Sequence, residues 1–444
     1  MSFPVLDEHR LAATDAATLR LMNGRTSAWA RLDDVEELRE RAHSIRMQAI
    51  DDLEGHLARF VAALEAAGGT AHVCSTAEEA RATVTRICTD AAAKLAAKSK
   101  SMLSEEIELN GALEAAGIEV VETDLGEYIL QLAGEHPVHI IAPAIEKTAA
   151  DVAVLLSAVE GEPVEPELEA LAQAARKQLR RVFERADVGI TGANFAVCDT
   201  GSICLVTNEG NGGLVTALPR VHVALLGLER LVPTLDDLAV LIQLLAPSGT
   251  GQTLTTYTRL LTGPRRPGED DGPEEMHVVV VDNGRTGLRR GRYKEMLACI
   301  RCGACLNVCP VYRKSGGSAY SPVYSGPMGA VLVPLLRGLE REPGLPHASS
   351  LCGACTAACP VKIPLHELLL DLRRDLVGEG IASHRERLAF AIWSMLWSRP
   401  FLYRLSTAVA RAGRPLGGLA GPGRTWAQGR TLPALARRRF RDSR

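Results

Sequence analysis

The sequence predicts an α/β domain with a largely parallel sheet, preceded by a helical region and followed by a helical module that carries clustered cysteines. Three observations point there. From about Thr70 to Asp282, short apolar runs alternate with helical stretches, the pattern of strands joined by crossover helices. Before Thr70, apolar residues recur at helical spacing. Seven of the 11 cysteines fall in two tight runs between Cys299 and Cys359.

Taken in order, Asp7 to Ala67 reads as helices. Leu53, Leu57, Phe60, Val61 and Leu64 share one helical face, and Gly68-Gly69 stops the run. A helical collar packed on the following domain is expected. Glu119-Val120-Val121, His139-Ile140-Ile141 and Val221 to Leu226 read as buried strands. Ala77 to Ala97 and Leu168 to Arg185 read as helices between them. Gly201 to Thr207 predicts a strand, the glycine-rich Asn208 to Gly213 a tight loop, and a further strand after it. Thr262 to Glu275 is a polar loop, and His277 to Val281 the last strand. Tyr293 to Ile300 is a short helix that delivers Cys299, and Ala330 to Leu339 and Lys362 to Val377 are helical. These elements group as a helical region (1–69), an α/β domain (70–285), a cysteine module (286–384) and a tail (385–444).

Hydrophobic residues make up 46% of the chain and aromatics only 4%, so the cores must be built from Leu, Val, Ala and Ile. The net charge of −3 hides an asymmetry. From Arg385 onward there are thirteen Arg and no Lys against Glu386 and Asp442, a net of +11, which leaves about −14 on the first 384 residues. Cysteines at metal-ligand spacing in so long a chain do not describe a secreted disulfide scaffold. Met1-Ser2-Phe3-Pro4 does not open a signal peptide. With no apolar run of about 18 residues, no spanning helix is expected, and the cytoplasm is the expected location. There is no Gly-x-Gly-x-x-Gly after a strand and no Gly-x-x-x-x-Gly-Lys-Ser/Thr loop, which argues against a nicotinamide Rossmann site and a P-loop ATPase.

Cys299, Cys302, Cys305 and Cys309 form C-x2-C-x2-C-x3-C, followed by Pro310. This is the bacterial ferredoxin run, in which the fourth cysteine ligates the other of two iron–sulfur clusters. Cys352, Cys355 and Cys359, followed by Pro360, repeat its last three positions, with Ser349 where the first cysteine would stand. Crossed ligation then gives one [4Fe–4S] cluster to Cys299, Cys302, Cys305 and Cys359, and a second to Cys309, Cys352 and Cys355. The fourth ligand of the second is open: Ser349, His347, a solvent oxygen, a partner or a substrate, or none if the cluster is [3Fe–4S]. The long stretch between the runs suits a helical ferredoxin module better than a compact one. The other cysteines, Cys74, Cys88, Cys198 and Cys204, read as small buried hydrophobes.

In the α/β domain, Lys98 and Lys100 flank Ser99 as an anion-site candidate, against the plainer reading of solvated surface lysines. In Asn208-Glu209-Gly210-Asn211-Gly212-Gly213, turn chemistry explains Asn and Gly but not Glu209, a candidate pocket acid. Asp124 and Glu127 are pocket acids or a helix-start pair. Thr191 and Asn194 are polar pocket groups or caps. His222 and His277 read as core or edge histidines.

A resemblance adds to this. Lys98 to Met102, Glu122 to Tyr128, Gly189 to Ala196, Asp199 to Ser202 and Thr207 to Gly212 resemble the lactate-utilization (LUD) domain. With Asp271 to Glu275 and Cys299-Ile300-Arg301-Cys302, the chain from about residue 20 to about 380 resembles the lactate-utilization protein B family; the basic tail resembles it least. The resemblance implies a fold similar to the sugar-phosphate isomerase and CoA-transferase α/β fold. It makes Ser349 a family trait. It also implies an iron–sulfur electron-transfer subunit of an NAD-independent L-lactate oxidation system, with a cysteine-rich subunit and a second LUD protein as partners. A self-sufficient 2-hydroxy-acid oxidoreductase and a non-catalytic scaffold are the rival readings.

Leu388 to Ala410 carries Trp393, Trp397 and other apolar residues, broken at Arg399-Pro400 into two short amphipathic helices. Gly413 to Gly429 reads as loop, and Arg437 to Arg441 adds charge. Docking to a partner subunit is expected first and peripheral contact with the inner membrane face second. No recognition module accompanies the charge, so no nucleic-acid partner is expected.

Overall fold

The computed structural model describes residues 5–320 and 323–412, which divide into two compact units after Asp375. In the first unit, three helices, Glu8–Trp29, Val35–Asp51 and Leu53–Ala66, begin with Asp7, Asp34 and Asp52 as caps, each carboxylate accepting an amide of the first turn. As expected, they form a collar. Trp29 donates to Ser248 Oγ at 3.1 Å, and Arg39 donates to the carbonyl of Cys359 at 2.8 Å.

Ten strands follow among the described residues: β1 (Thr70–Cys74), β2 (Leu95–Lys98), β3 (Glu119–Glu122), β4 (Val188–Gly192), β5 (Phe195–Val197), β6 (Ser202–Thr207), β7 (Val221–Gly227), β8 (Leu231–Val232), β9 (Tyr257–Leu261) and β10 (Glu275–Val281). Six make an all-parallel sheet in the order β1-β10-β7-β4-β2-β3. Its faces are apolar at alternate positions. Val221, Val223 and Leu225 join one core with Val279 and Val281, while Ala224 and Leu226 join another with Val278 and Val280. A parallel sheet covered on both faces explains why its central strands read as unbroken apolar runs.

A second, mixed sheet in the order β8-β5-β6-β9 was not foreseen. Strands β5 and β8 are only three and two residues long, too short for a periodic signal. Three expectations are corrected. Ala77 to Ala97 is not one helix: it ends at Asp90, and Leu95 begins β2, whose alanines are buried strand residues. His139-Ile140-Ile141 is not a strand, because the His139 ring takes the Ile141 and Ala142 amides at 3.2 and 3.1 Å. The glycine-rich loop after β6 opens a helix, Asn211–Ala217, rather than a strand.

The cysteine runs sit on short helices, Ala304–Asn307 and Ala354–Ala358, in the largest hydrophobic core, with the helix Gly326–Arg337 between them in sequence. In the second unit, helices His384–Ser398 and Pro400–Ala412 meet at the expected break. Phe390, Trp393, Trp397 and Phe401 are exposed there, with Trp393 and Trp397 ring centroids 5.7 Å apart. Gly413 to Gly429 and Arg437 to Arg441 lie outside the described residues.

Candidate functional site

The two cysteine runs are conformational repeats. In each, the residue before the Cys-Gly-Ala-Cys stretch has positive φ (Arg301 at 58°, Leu351 at 54°), and the glycine within it has φ near 80° (Gly303 at 77°, Gly353 at 80°). Gly303 and Gly353 then cap the short helices that carry Cys305 and Cys355. This fold of the loop turns successive thiols toward one centre. Cys299, Cys302, Cys305 and Cys359 line a single cavity with Ile140, Met328 and Ile363. Cys309, Cys352 and Cys355 form the other neighbourhood, each pair within electrostatic reach. The structure thus brings together the sets that crossed ligation expects.

The donor set suits iron–sulfur clusters. Burial pushes the Cys359 thiol up to about 12 and Cys355 up to about 11, and the surrounding cysteines push the same way. Bare thiolates are therefore costly here, and a multi-iron cation reverses that cost. The Tyr312 amide approaches Cys309 Sγ at 3.5 Å and the Ile363 amide approaches Cys359 Sγ at 3.4 Å, contacts that stabilise ligated sulfur. Among the described residues no three Cys, His, Asp or Glu side chains close on a single metal ion. The Ser349 hydroxyl accepts the Leu351 amide at 3.0 Å.

A second cavity, of about 270 Å³, opens at the C-terminal ends of β2, β4 and β7. Crevices at this end of a parallel sheet are where ligands bind in α/β folds. Lys100, Asp124, Asn194, Asn208 and Glu209 all line it. Asp124 caps the helix Leu125–Ala133, accepting the Gly126 amide at 3.2 Å. Glu209 accepts the Leu125 amide at 2.9 Å, and burial together with Asp124 raises its carboxyl to about 7, an effect that solvent at this exposed residue partly screens. Asn194 Oδ1 accepts the Val206 amide, and Asn208 is bonded to Gln252 and Thr256.

Three candidates fall elsewhere. Lys98 is not an anion ligand: it is fully buried, 2.6 Å from Glu122 and 3.1 Å from Glu105. Glu122 is its register partner on β3, so strand pairing itself pairs the charges. Glu127 faces this Lys98 group in a separate cavity; it is buried, neither carboxylate oxygen has a partner, and burial followed by Glu122 raises its carboxyl well above the usual range. Thr191 is buried and does not line the cavity; it lies 2.8 Å from His222 Nε2.

Sequence reasoning missed a buried ionic network between the cavity and the cysteines. Arg285 grips Glu106 with two nitrogens at 2.8 and 2.7 Å and gives Nε to Glu229 at 2.5 Å. Arg301 reaches Glu229 at 3.2 Å and stacks over Tyr324 at 4.8 Å. Arg230 donates to the Cys299 carbonyl at 2.9 Å. Burial opposes the Glu229 charge, but Arg285, Arg301 and Arg230 prevail and hold its carboxyl down to about 2. The available signal was Glu229-Arg230, two charges inside the apolar run that continues from β7 to β8. Ile140, Arg301 and Cys302 line both this cavity and the four-cysteine cavity, so the two share a wall.

Known proteins agree with this layout. The LUD domain family matches residues 57–281, the 4Fe-4S dicluster domain residues 295–363, and the lactate utilisation protein B C-terminal family residues 372–443. The last match shows that the resemblance extends through the tail. Curated proteins called lactate utilization protein B are 46% identical. That of Shouchella clausii aligns over 97% of this chain and 92% of its own, as does that of Geobacillus sp.; that of Bacillus licheniformis aligns over 98% and 93%. A solved DUF162 family protein from Deinococcus radiodurans aligns over 52% of this chain and 98% of its own at 14% identity. Its TM-score of 0.30 is too low to support a shared fold by itself. Among the described residues no helix is long and apolar enough to cross a membrane.

Proposed function

The chain belongs to the lactate utilization protein B family, and we propose that within lactate utilization it is the iron–sulfur electron-transfer subunit of an NAD-independent L-lactate oxidation complex. The observation that carries this reading is the adjacency of the two cysteine sets. Cys305 of the first feels Cys355 of the second, and Cys302 of the first forms part of the α/β cavity wall. Clusters held there supply one-electron steps. The chain's own residues contribute the rest. Cys309 and Cys359 would hold the clusters crosswise and so tie the two sets to each other, and the apolar wall of Ile140, Met328 and Ile363 would keep water from the first.

The partners of this reading are a cysteine-rich subunit and a second LUD protein. The exposed Phe390, Trp393, Trp397 and Phe401 offer a docking face for one of them, with peripheral membrane contact as the rival use. A second reading, a self-sufficient 2-hydroxy-acid oxidoreductase, is favoured by one observation, the wall shared by cavity and cysteines. Anaerobic cluster-loaded protein separates them. With L-lactate and an artificial acceptor, reduction only in the presence of the partners supports the relay, and turnover by this chain alone supports the second reading. Cys302→Ala should stop electron flow with the α/β domain still folded by circular dichroism; normal turnover in that variant would sink the relay.

A further inference from the structure

The two cysteine sets differ in the charge that surrounds them. Around the first, Glu229 is approached by Arg285, Arg301 and Arg230 at 2.5, 3.2 and 4.0 Å, and Arg285 also meets Glu106 at 2.7 Å. Arg46 is fully buried and bonded to carbonyls, including those of Leu297 and Ala298 just before Cys299. Arg25, on the collar helix, stacks over Trp29 at 3.7 Å and acts on Cys302 and Cys359. These guanidinium groups outnumber the carboxylates, and the thiolates of the first set supply the missing negative charge. Arg301, Arg230 and Arg46 each act on Cys299. Arg301 also lines the four-cysteine cavity, and Arg230 donates to the Cys299 carbonyl at 2.9 Å. Arg301 Nη1 and Arg25 Nε are buried donors without a partner, as expected where an anion belongs beside them. The second set has no such shell. The charges that act on Cys309 and Cys355 are cysteines, and Cys352 is exposed, with its main support from the Ala354 amide. Arg373 donates to the Pro346 and Ser349 carbonyls ahead of this run, but burial, not a thiol, shifts its charge.

We propose that the guanidinium shell of Arg301, Arg230, Arg46 and Arg25 raises the reduction potential of the cluster held by Cys299, Cys302, Cys305 and Cys359, and leaves the second cluster to its own ligands. A cubane with four thiolates is a net anion in either state and gains a further negative charge on reduction. Burial alone makes that added charge costly and lowers the potential. Fixed cations in the same poorly solvated shell act the other way, and more strongly than they would in water. Guanidinium groups stay protonated, so the effect persists across the working pH range. The first set shares a wall with the α/β cavity, so the shell makes its cluster the better acceptor for an electron leaving that cavity. The proposal rests on the iron–sulfur reading, but not on the identity of the electron donor.

The test is a redox titration of the anaerobic, cluster-loaded full chain, followed by electron paramagnetic resonance. The step that disappears in Cys302→Ala belongs to the first cluster. Arg301→Gln should make that cluster roughly tenfold harder to reduce, a fall of about 59 mV for a one-electron couple, with the other step in place. Arg301→Lys, which keeps the charge, should recover most of the potential. Because Arg301 adjoins Cys302, Arg25→Gln is the companion variant. It lies on the collar helix, far from the cysteine loops in the chain, and should move the same step in the same direction. An unmoved first step in either glutamine variant at full iron content overturns the proposal, and so does an equal shift of both steps. Failure of both variants to take up iron also overturns it, since the side chains would then serve folding rather than potential. A first step that moves as expected in a chain that passes no electrons with its partners keeps the shell and loses the relay. An unmoved step in a chain that does pass them keeps the relay and loses the shell.

Discussion

Glu127 and Arg46 show how single buried charges set the behaviour of this chain. The Glu127 carboxyl titrates above the ordinary range because burial and Glu122 disfavour its ionised form. Stability from keeping it neutral is complete below the ordinary carboxyl pKa and is lost as pH rises through the raised folded value. Glu127→Gln removes that loss, so its urea midpoint should gain on the wild type as pH rises. A variant that falls behind as pH rises would mean Glu127 is ionised and held by Lys98. Arg46 is fully buried and donates to the carbonyls of Leu231, Leu297, Ala298 and Glu229, tying the collar to β8 and to the turn before Cys299. Arg46→Met leaves those carbonyls unpaired, and chemical denaturation should show a loss of about 3 kcal/mol or more. Neither role is written in the local sequence. Arg46 is one of seven charged residues in a 17-residue helix, so nothing local singles it out, and its partners come from more than 180 positions away in the chain.

Among the elements, the cysteine loops were the most legible. Their spacing predicts two groups of cysteines, and the structure brings the members of each group together, with a two-residue gap and a left-handed glycine shaping each loop. Gly303 and Gly353 test this. A Cβ at Gly353 would meet nothing within 4 Å, and one at Gly303 only ordinary contacts of 3.4 Å or more, so the cost of alanine is conformational. Each Gly→Ala change should cost about 1–2 kcal/mol from forcing positive φ on a side chain. Iron bound per chain should fall in both variants; full iron content in both would show that the left-handed turn is not what shapes the loop. The β2 region was misread because Leu95-Ala96-Ala97-Lys98 has the propensity of a helix. Its strand state comes from pairing with β3 and β4 on either side. Propensity yields to such tertiary pairing in short central strands.

Across the whole molecule, the division after Asp375 gives the last prediction. A chain ending before Arg385 should keep full iron content while losing co-purification with the partner subunits. If vesicle binding is lost instead, the tail is a membrane contact; if neither changes, the tail does neither job. The sequence by itself determined the class of the α/β domain, the two cysteine runs and the helical collar, since each is encoded in residues close together in the chain, whereas the crossed grouping of the cysteines joins residues more than 40 positions apart. Only the tertiary structure decided which charges are spent and which are free. Lys98, an apparent anion ligand, is consumed by Glu122 across a strand pair. Arg230 and Arg301, unremarkable as letters, are brought to Glu229 and to the first cysteine set because the turn after β7 and the first cysteine loop converge there. Charge balance is a property of neighbours in space, and the chain brings those neighbours together only when it folds.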